Sequence, residues 1–389
     1  VFTALLEAPA PAEPPRLTEV PAPVPPTGIG ARERAEVARA RAYRLVIDGR
    51  EHRLLRGDLH RHTEISWDGN GDGSIIDAFR YAIDAAAMDF LEVTDHNQNT
   101  GPDDPYVWWR TQKVTEAFNN PPAFVGLFGY ERSLSFPNGH RNIISDHRLP
   151  AVFPFTRRPE GGVAPDDTKQ LYAWARQNRT IVISHTSGTR MGTDWRDNDP
   201  LIEPVVEIFQ GARTSYEYEG APKSASPGDR AAENSGYEPE GFVWRAWEKG
   251  LLLGVIASSD HGSTHISYAS VYAREPSRLA ILEGLRRRHT FGATDNLIVD
   301  VRVANRFMGD VFRSSTPPRL QVRLRGTDRL TRVDVIKDLR FVYTRDPQTQ
   351  DFDFEWTDAE FTPGRHMYYV RAQQADGQIA WGSPVWVER

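Results

Sequence analysis

Between Tyr43 and Asp295 the chain alternates short apolar runs with amphipathic stretches. Tyr43 to Ile47 reads as a strand, Asp48-Gly49 as a hairpin turn and His52 to Asp58 as the returning strand. From Ser74 the period lengthens, with Ile75, Ile76, Phe79, Ala82, Ile83 and Ala86 at helical spacing behind a capping-box start at Ser74 and Asp77. Further strands are predicted over Asp89 to Thr94, Phe124 to Tyr130, Asn142 to Ser145, Thr180 to Ser184, Val205 to Phe209 and Leu251 to Ala257. Helices are predicted over Gly30 to Tyr43, Trp108 to Phe118, Thr168 to Gln177, Phe242 to Lys249 and Ser277 to Arg288, and a long polar loop over Thr214 to Gly241. Some seven apolar strands, most alternating with helices, predict an α/β barrel or a doubly wound sheet. From about Leu297 period-two alternation takes over, as in Ile298 to Val303 and Val333 to Ile336, with Asp376-Gly377 as a hairpin signal. That texture predicts a small antiparallel, sandwich-like β-domain over residues 296–389.

The polar residues at the strand ends favour the barrel. In an extended strand, residues i and i+2 share a side, so His60 and His62 face one space and Arg61 faces away. Alone, that pair fits a surface strand as well as a metal site. Asp95-His96, Glu131, His185 and Asp260-His261 then recur at the C-terminal ends of later strands, the catalytic face of barrel enzymes. His140 is the exception, lying just ahead of its strand. Six of eleven histidines, His140 included, sit beside predicted strand ends, with Asp68, Glu131 and Asp260 in the same places. The chain has no cysteine, which excludes thiolate sites and a cysteine nucleophile. Imidazole and carboxylate donors without thiolate suit Zn, Mn or Fe. Nine ligands are too many for one ion and imply two or three divalent metals, with Glu131 or Asp260 bridging.

A formal charge of -6 and a pI near 6.0 give no reason to expect a nucleic-acid partner. The basic run Arg286 to Arg288 is accounted for by a helix C-terminus. No apolar run reaches membrane-spanning length, so no membrane span is expected. The opening over residues 1–29, Pro-rich from Ala8 to Pro26, reads as an extended linker. Because the chain begins at Val1, an extracytoplasmic location is slightly favoured. The pattern leaves the oligomeric state open.

The ordered set GDLHRHT with Asp68, VTDHN, GYE, ISH and SSDH resembles the PHP metallohydrolases, the polymerase and histidinol phosphatase superfamily. The stretches SHTSGTRMGTDW and PVVEIFQGARTS and the ending AWGSPVWV resemble a largely uncharacterised branch of it with a β-rich tail. The resemblance implies a distorted (β/α)7 barrel, here residues 30–295, holding two or three divalent metals. Carried over residue by residue, it implies one metal on His60, His62, Glu131 and Asp260 and a second on His96, His140 and Glu131. Asp68, His185 and His261 would serve a third or complete the first two. Many members have His in place of Asp68, and many separate the last Asp and His by one residue where Asp260 and His261 are adjacent.

Asp95, Arg132 and Arg190 are the candidate catalytic side chains beside these ligands. Asp95 would orient an imidazole from behind or cap the next segment. Of Arg61, Arg132, Arg141, Arg190 and Arg213, one or two would clamp an anionic small-molecule substrate. Asp194 and Trp195 would shape the pocket, and Glu207 would support a ligand or a structural ion pair. The expected nucleophile is metal-activated hydroxide, acting on phosphate mono- or diesters. The same chemistry would serve a carbamate, amide or carboxyl ester, and a metal-stabilised, non-catalytic binding module is the third alternative.

Overall fold

The computed structural model describes residues 29–98, 101–154, 163–228, 235–262 and 266–389. The Pro-rich stretch Ala8 to Pro26 lies outside them.

Helix α1 (Ile29–Ala42) leads into the hairpin of β1 (Arg44–Ile47) and β2 (Arg50–Asp58). Asp48 and Gly49 carry φ of 50° and 72°, the left-handed pair that a two-residue hairpin turn requires. Helix α2 (Ile75–Arg80) starts at the Ser74/Asp77 capping box and runs on into a π-turn over Tyr81–Ala85. There follow β3 (Phe90–Glu92), α3 (Pro105–Phe118), β4 (Val125–Arg132) and β5 (Arg141–Ser145). Next come α4 (Asp167–Gln177), β6 (Ile181–Ser184), β7 (Val205–Gln210), α5 (Val243–Glu248) and β8 (Gly254–Ser258). Helix α3 begins a turn earlier than the apolar period suggests, because Asp104 accepts from Tyr106 N and Val107 N and Pro105 fits the first helical position.

Strands β2, β3 and β4 pair in parallel, as do β6, β7 and β8. Between the two sets β5 runs antiparallel to both β4 and β6. The residues just past β8 return to those just past β2. Arg61 bridges Asp260, His62 N donates to Asp260 O and Asp260 N to His60 O. Seven strands are thus linked in a ring of pairings. Two departures from simple βα alternation stand out: β5 is reversed, and β6 joins β7 through residues 185–204 without a helix. Strands β3 to β8 are buried along their length and β2 over its second half, and Leu55, Phe90, Val125, Leu127, Ile183, Val205 and Ile256 pack in one apolar core.

Strand β9 (Tyr268–Ala273) pairs antiparallel with β2, helix α6 (Arg278–Arg286) follows, and β10 (Thr290–Ala293) pairs with β9. The remainder is nearly all strand: β11 (Ile298–Val303), β12 (Arg306–Phe307), β13 (Val311–Arg313), β14 (Arg319–Lys337) and β15 (Arg340–Arg345). It ends with β16 (Thr349–Thr357), β17 (Arg365–Gln374), β18 (Ile379–Gly382) and β19 (Val385–Glu388). Strand β14 spans 19 residues and shifts register, pairing first with β11 and β16 and then with β15 and β17. Strand β10 also pairs with β18, so the sheet continues across position 295. Beside the loop after β7, Arg371 of β17 is buried between Glu217 (2.9 Å) and Asp334 (2.9 Å), and Glu217 also accepts from Tyr369 Oη and Trp381 Nε1.

Candidate metal centre

The turn after β2 presents the first donors. Asp58 at the end of β2 accepts from His60 N (3.1 Å) and Ser259 N (3.2 Å), tying this turn to the end of β8. Asp95 accepts from Thr63 N (2.7 Å) and Thr63 Oγ1 (2.8 Å) and so fixes the chain just past His62. Its carboxylate therefore holds the backbone and hydroxyl of Thr63, not an imidazole.

Glu131, at the end of β4, lies at the middle of the cluster and is buried. Its Oε2 is 3.2 Å from His60 Nε2, 3.1 Å from His62 Nε2 and 3.7 Å from His185 Nε2. Its Oε1 is 3.1 Å from His96 Nδ1 and 2.5 Å from His140 Nδ1. Asp260 Oδ1 closes the first set at 3.2 Å from His60 Nε2 and 3.0 Å from His62 Nε2. On the other flank Asp68 Oδ2 is 3.0 Å from His96 Nε2 and 3.6 Å from His261 Nε2. Four compact donor groups result: His60, His62 and Asp260; His60, Glu131 and His185; His62, Asp68 and His96; and His96, Glu131 and His140. Donors held about 2.1 Å from an ion stand roughly 3.0 Å apart in octahedral and 3.4 Å apart in tetrahedral coordination, and the separations among His60, His62, Glu131 and Asp260 and between His96 and Asp68 fall near the first of these.

His140 joins the others because β5 is reversed, so the residue before it lies at the same end of the ring as the residues after its neighbours. Asp260 takes φ of 70°, a conformation that non-glycine residues seldom adopt. That turn of the chain lets Asp260 and the adjacent His261 approach one cavity. His261 stands further out, 3.5 Å from Asp260 Oδ1, with its Nδ1 held 2.6 Å from Asp72 Oδ2.

Other side chains fix the rings. Glu207 Oε2 lies 2.9 Å from His60 Nδ1, Ser66 Oγ 2.8 Å from His62 Nδ1, and Thr186 Oγ1 2.8 Å from His185 Nδ1. Each leaves Nε2 facing the cavity. His185 Nε2 and Asp68 Oδ1 are buried atoms without a hydrogen-bond partner among the described residues. Donors stranded beside an acid-rich cavity fit a cation as the missing partner. Electrostatics agree. Burial lowers the proton affinity of His62 and His96, yet Asp260 and Glu131 beside the one, and Glu131 and Asp68 beside the other, outweigh it and raise them to about 9 and about 10. Burial works against the charged forms of Glu131 and Asp260 too, but the surrounding imidazoles keep both carboxylates well below their usual range. Burial, with His60 beside it, holds His185 well below the ordinary imidazole value, which favours the neutral ring that a metal ligand needs. The cluster demands positive charge, and protons supply it where metal does not.

The structure brings all nine sequence-selected donors to one cavity of about 550 Å³. Among the residues lining it are also Trp67, Gln98, Ser133, Met191, Arg213 and Ser235. The arginines divide. Arg132 turns away to a buried bidentate pair with Asp167 (2.6 and 2.7 Å), and Arg190 is exposed beside Gly236, outside the lining. Arg61 pairs with Asp72 and Arg141 with Glu203. Arg213 alone of the five lines the cavity, 3.4 Å from Asp260 Oδ2. Trp195 is core, donating its Nε1 to Gly241 O, and Asp194 pairs with Arg196. Asp72 and Ser66, which position His261 and His62, carry no sequence signal: each is an ordinary turn residue until its partner is placed.

No family model matches the chain. It is 25% identical over 378 residues to an uncharacterized protein of Chlamydia trachomatis, covering 86% of this chain, and 24% identical over 380 residues to one of Chlamydia muridarum. The chain spans 57% of the length of each of these relatives. Among solved structures, a two-domain protein of Bacteroides vulgatus containing a predicted PHP-like metal-dependent phosphoesterase aligns with 15% identity and a TM-score of 0.39, over 89% of this chain and 97% of that one.

Proposed function

We propose that this chain is a metal-dependent phosphoesterase of the PHP type. In this reading the seven-strand ring is that superfamily's distorted barrel within residues 30–295, followed by a β-domain over 296–389. The observation that carries it is the two-sided environment of Glu131, with one carboxylate oxygen toward His60, His62 and His185 and the other toward His96 and His140. A buried carboxylate so divided is suited to bridge two cations. One ion would be held by His60, His62, Glu131 and Asp260, with His185 beside it, and a second by His96, His140 and Glu131. Asp68, between His96 and His261, offers a third position.

When bound, such ions acidify water and offset charge that builds on a phosphoryl oxygen. The chain's own residues do the rest. Glu207, Ser66 and Thr186 hold three imidazoles in one orientation. Arg213, the arginine in the lining, neutralises and orients an anionic group. In the reaction the oxygen of water bonds to phosphorus, the ester oxygen leaves, and it takes up a proton released from that water.

The test is the metal-loaded protein, with Zn, Mn or Fe, against a panel of phosphate mono- and diesters beside carboxyl esters and carbamates. Turnover of phosphate esters, lost in Glu131→Gln, is expected. Hydrolysis confined to carbonyl substrates, or none at all, would overturn the proposal.

A further inference from the structure

Within a polar cavity one large aromatic ring is left in water. Trp67 is 54% exposed, yet it lines the same cavity as the metal-site candidates. Trp67 and Met191 are the apolar side chains among the residues lining it. The tryptophan adds no core packing. Its ring stacks on His96, with centroids 5.6 Å apart and planes at 26°. Its backbone belongs to a tight turn in which Ser66 N donates to Thr63 O and Gly69 N to Ser66 O. A Cβ at Gly69 would stand 1.8 Å from Thr63 O, so the turn closes tightly on a position that only glycine fits. Trp67 is thus an exposed aromatic platform backed by His96 and carried on a tight turn, set in sequence between the metal-site candidates His62 and Asp68. Arg213, beside Asp260, offers a cation in the same cavity.

We infer that Trp67 is the specificity determinant, and that the substrate is a phosphate ester carrying a flat π-ring that stacks on its indole face. This rests on the phosphoesterase reading above. An aromatic face beside an anion site selects flat rings because stacking needs a matching plane, whereas the phosphate is held by charge alone. The ring is either borne directly on the ester oxygen, as in an aryl phosphate, or one group removed, as in a nucleotide.

The experiment is calorimetric titration of the Mn-loaded chain with non-hydrolysable phosphonates: methyl, cyclohexyl and phenyl, and the phosphonate analogue of adenosine monophosphate. Quenching of tryptophan fluorescence is followed in parallel. We expect at least one ring-bearing π-ligand to bind roughly tenfold tighter than methylphosphonate, with cyclohexylphosphonate close to methyl. The tighter of phenylphosphonate and the nucleotide analogue identifies the ring's position. Trp67→Ala should abolish that preference and leave methylphosphonate binding and metal content unchanged, and Trp67→Phe should keep most of it. Equal binding of all four ligands, or a preference that survives Trp67→Ala, would overturn the inference and leave the phosphoesterase reading standing. If no phosphonate binds while metal is present, the phosphoesterase reading falls and the substrate class falls with it.

Discussion

At the residue scale the centre depends on side chains that never reach the cavity. Glu207 is buried, and its contact with His60 Nδ1 at 2.9 Å sets which nitrogen His60 turns to the cavity. Glu207→Gln keeps the shape and removes the charge behind the ring. It should weaken metal affinity about 10- to 100-fold, measured by competition with a chelating dye; an unchanged affinity would show that His60 needs no such support. The same residues give a pH signature in the metal-free protein. His62 and His96 are raised from 6.5 to about 9 and about 10, so their contribution to stability is complete below pH 6.5 and is lost as pH rises through those values. Glu131 and Asp260 are lowered, so theirs is complete above the ordinary carboxylate range and is lost on acidification. Metal-free protein should therefore melt highest near pH 5–6 and several degrees lower at pH 9. Bound metal should flatten the alkaline decline. Equal slopes with and without metal would argue that these histidines are not the ligands. Most of the candidate donor set was legible in sequence because its members, His140 and Asp68 apart, lie at or just past the ends of strands. Arg132 was misplaced because a strand-end arginine looks the same whether it faces substrate or, as here, Asp167.

At the element scale the reversed strand β5 matters most. Period and apolarity mark Asn142 to Ser145 as a strand but say nothing of its direction, which is why His140 looked out of place. Strands β9 and β10 escaped notice for a related reason: Tyr268 to Ala273 and Thr290 to Ala293 are short and carry Ser, Thr and Gly at buried positions. Gly129 in β4 shows how tightly the ring is filled. A Cβ there would lie 1.4 Å from Glu92 Oε1 and 2.6 Å from Ile143 O. Burial pushes the Glu92 carboxyl well above its usual range. Gly129→Ala should cost about 1–3 kcal/mol, read from the urea midpoint. A midpoint within error of the parent would mean that β4 and β5 can separate without penalty.

At the scale of the whole molecule the β-rich tail and the site-bearing region share structure. Strand β10 is common to both through β9 and β18, and Arg371 of the tail is buried between Glu217, on the loop after β7, and Asp334. The period-two pattern foretold antiparallel strands but not this attachment, since a buried arginine and its acids lie far apart in sequence and have no joint signature. Arg371→Leu would leave two buried carboxylates without their guanidinium. It should destabilise the protein by about 3–5 kcal/mol, and a loss under 1 kcal/mol would show that the network is dispensable. Arg213 sits four residues before Glu217, so the same variant should also weaken methylphosphonate binding.

The central claim is that nine side chains, drawn from both ends of the site-bearing sequence, form one centre for more than one cation. Anomalous diffraction from crystals of the metal-loaded protein, recorded above and below the absorption edge of the metal supplied, tests it most directly. The account predicts at least two peaks, one among His60, His62 and Asp260 and one between His96 and His140, with a Glu131 oxygen beside each. No peak in the cavity, or a single peak that leaves His96 and His140 without metal, would contradict it.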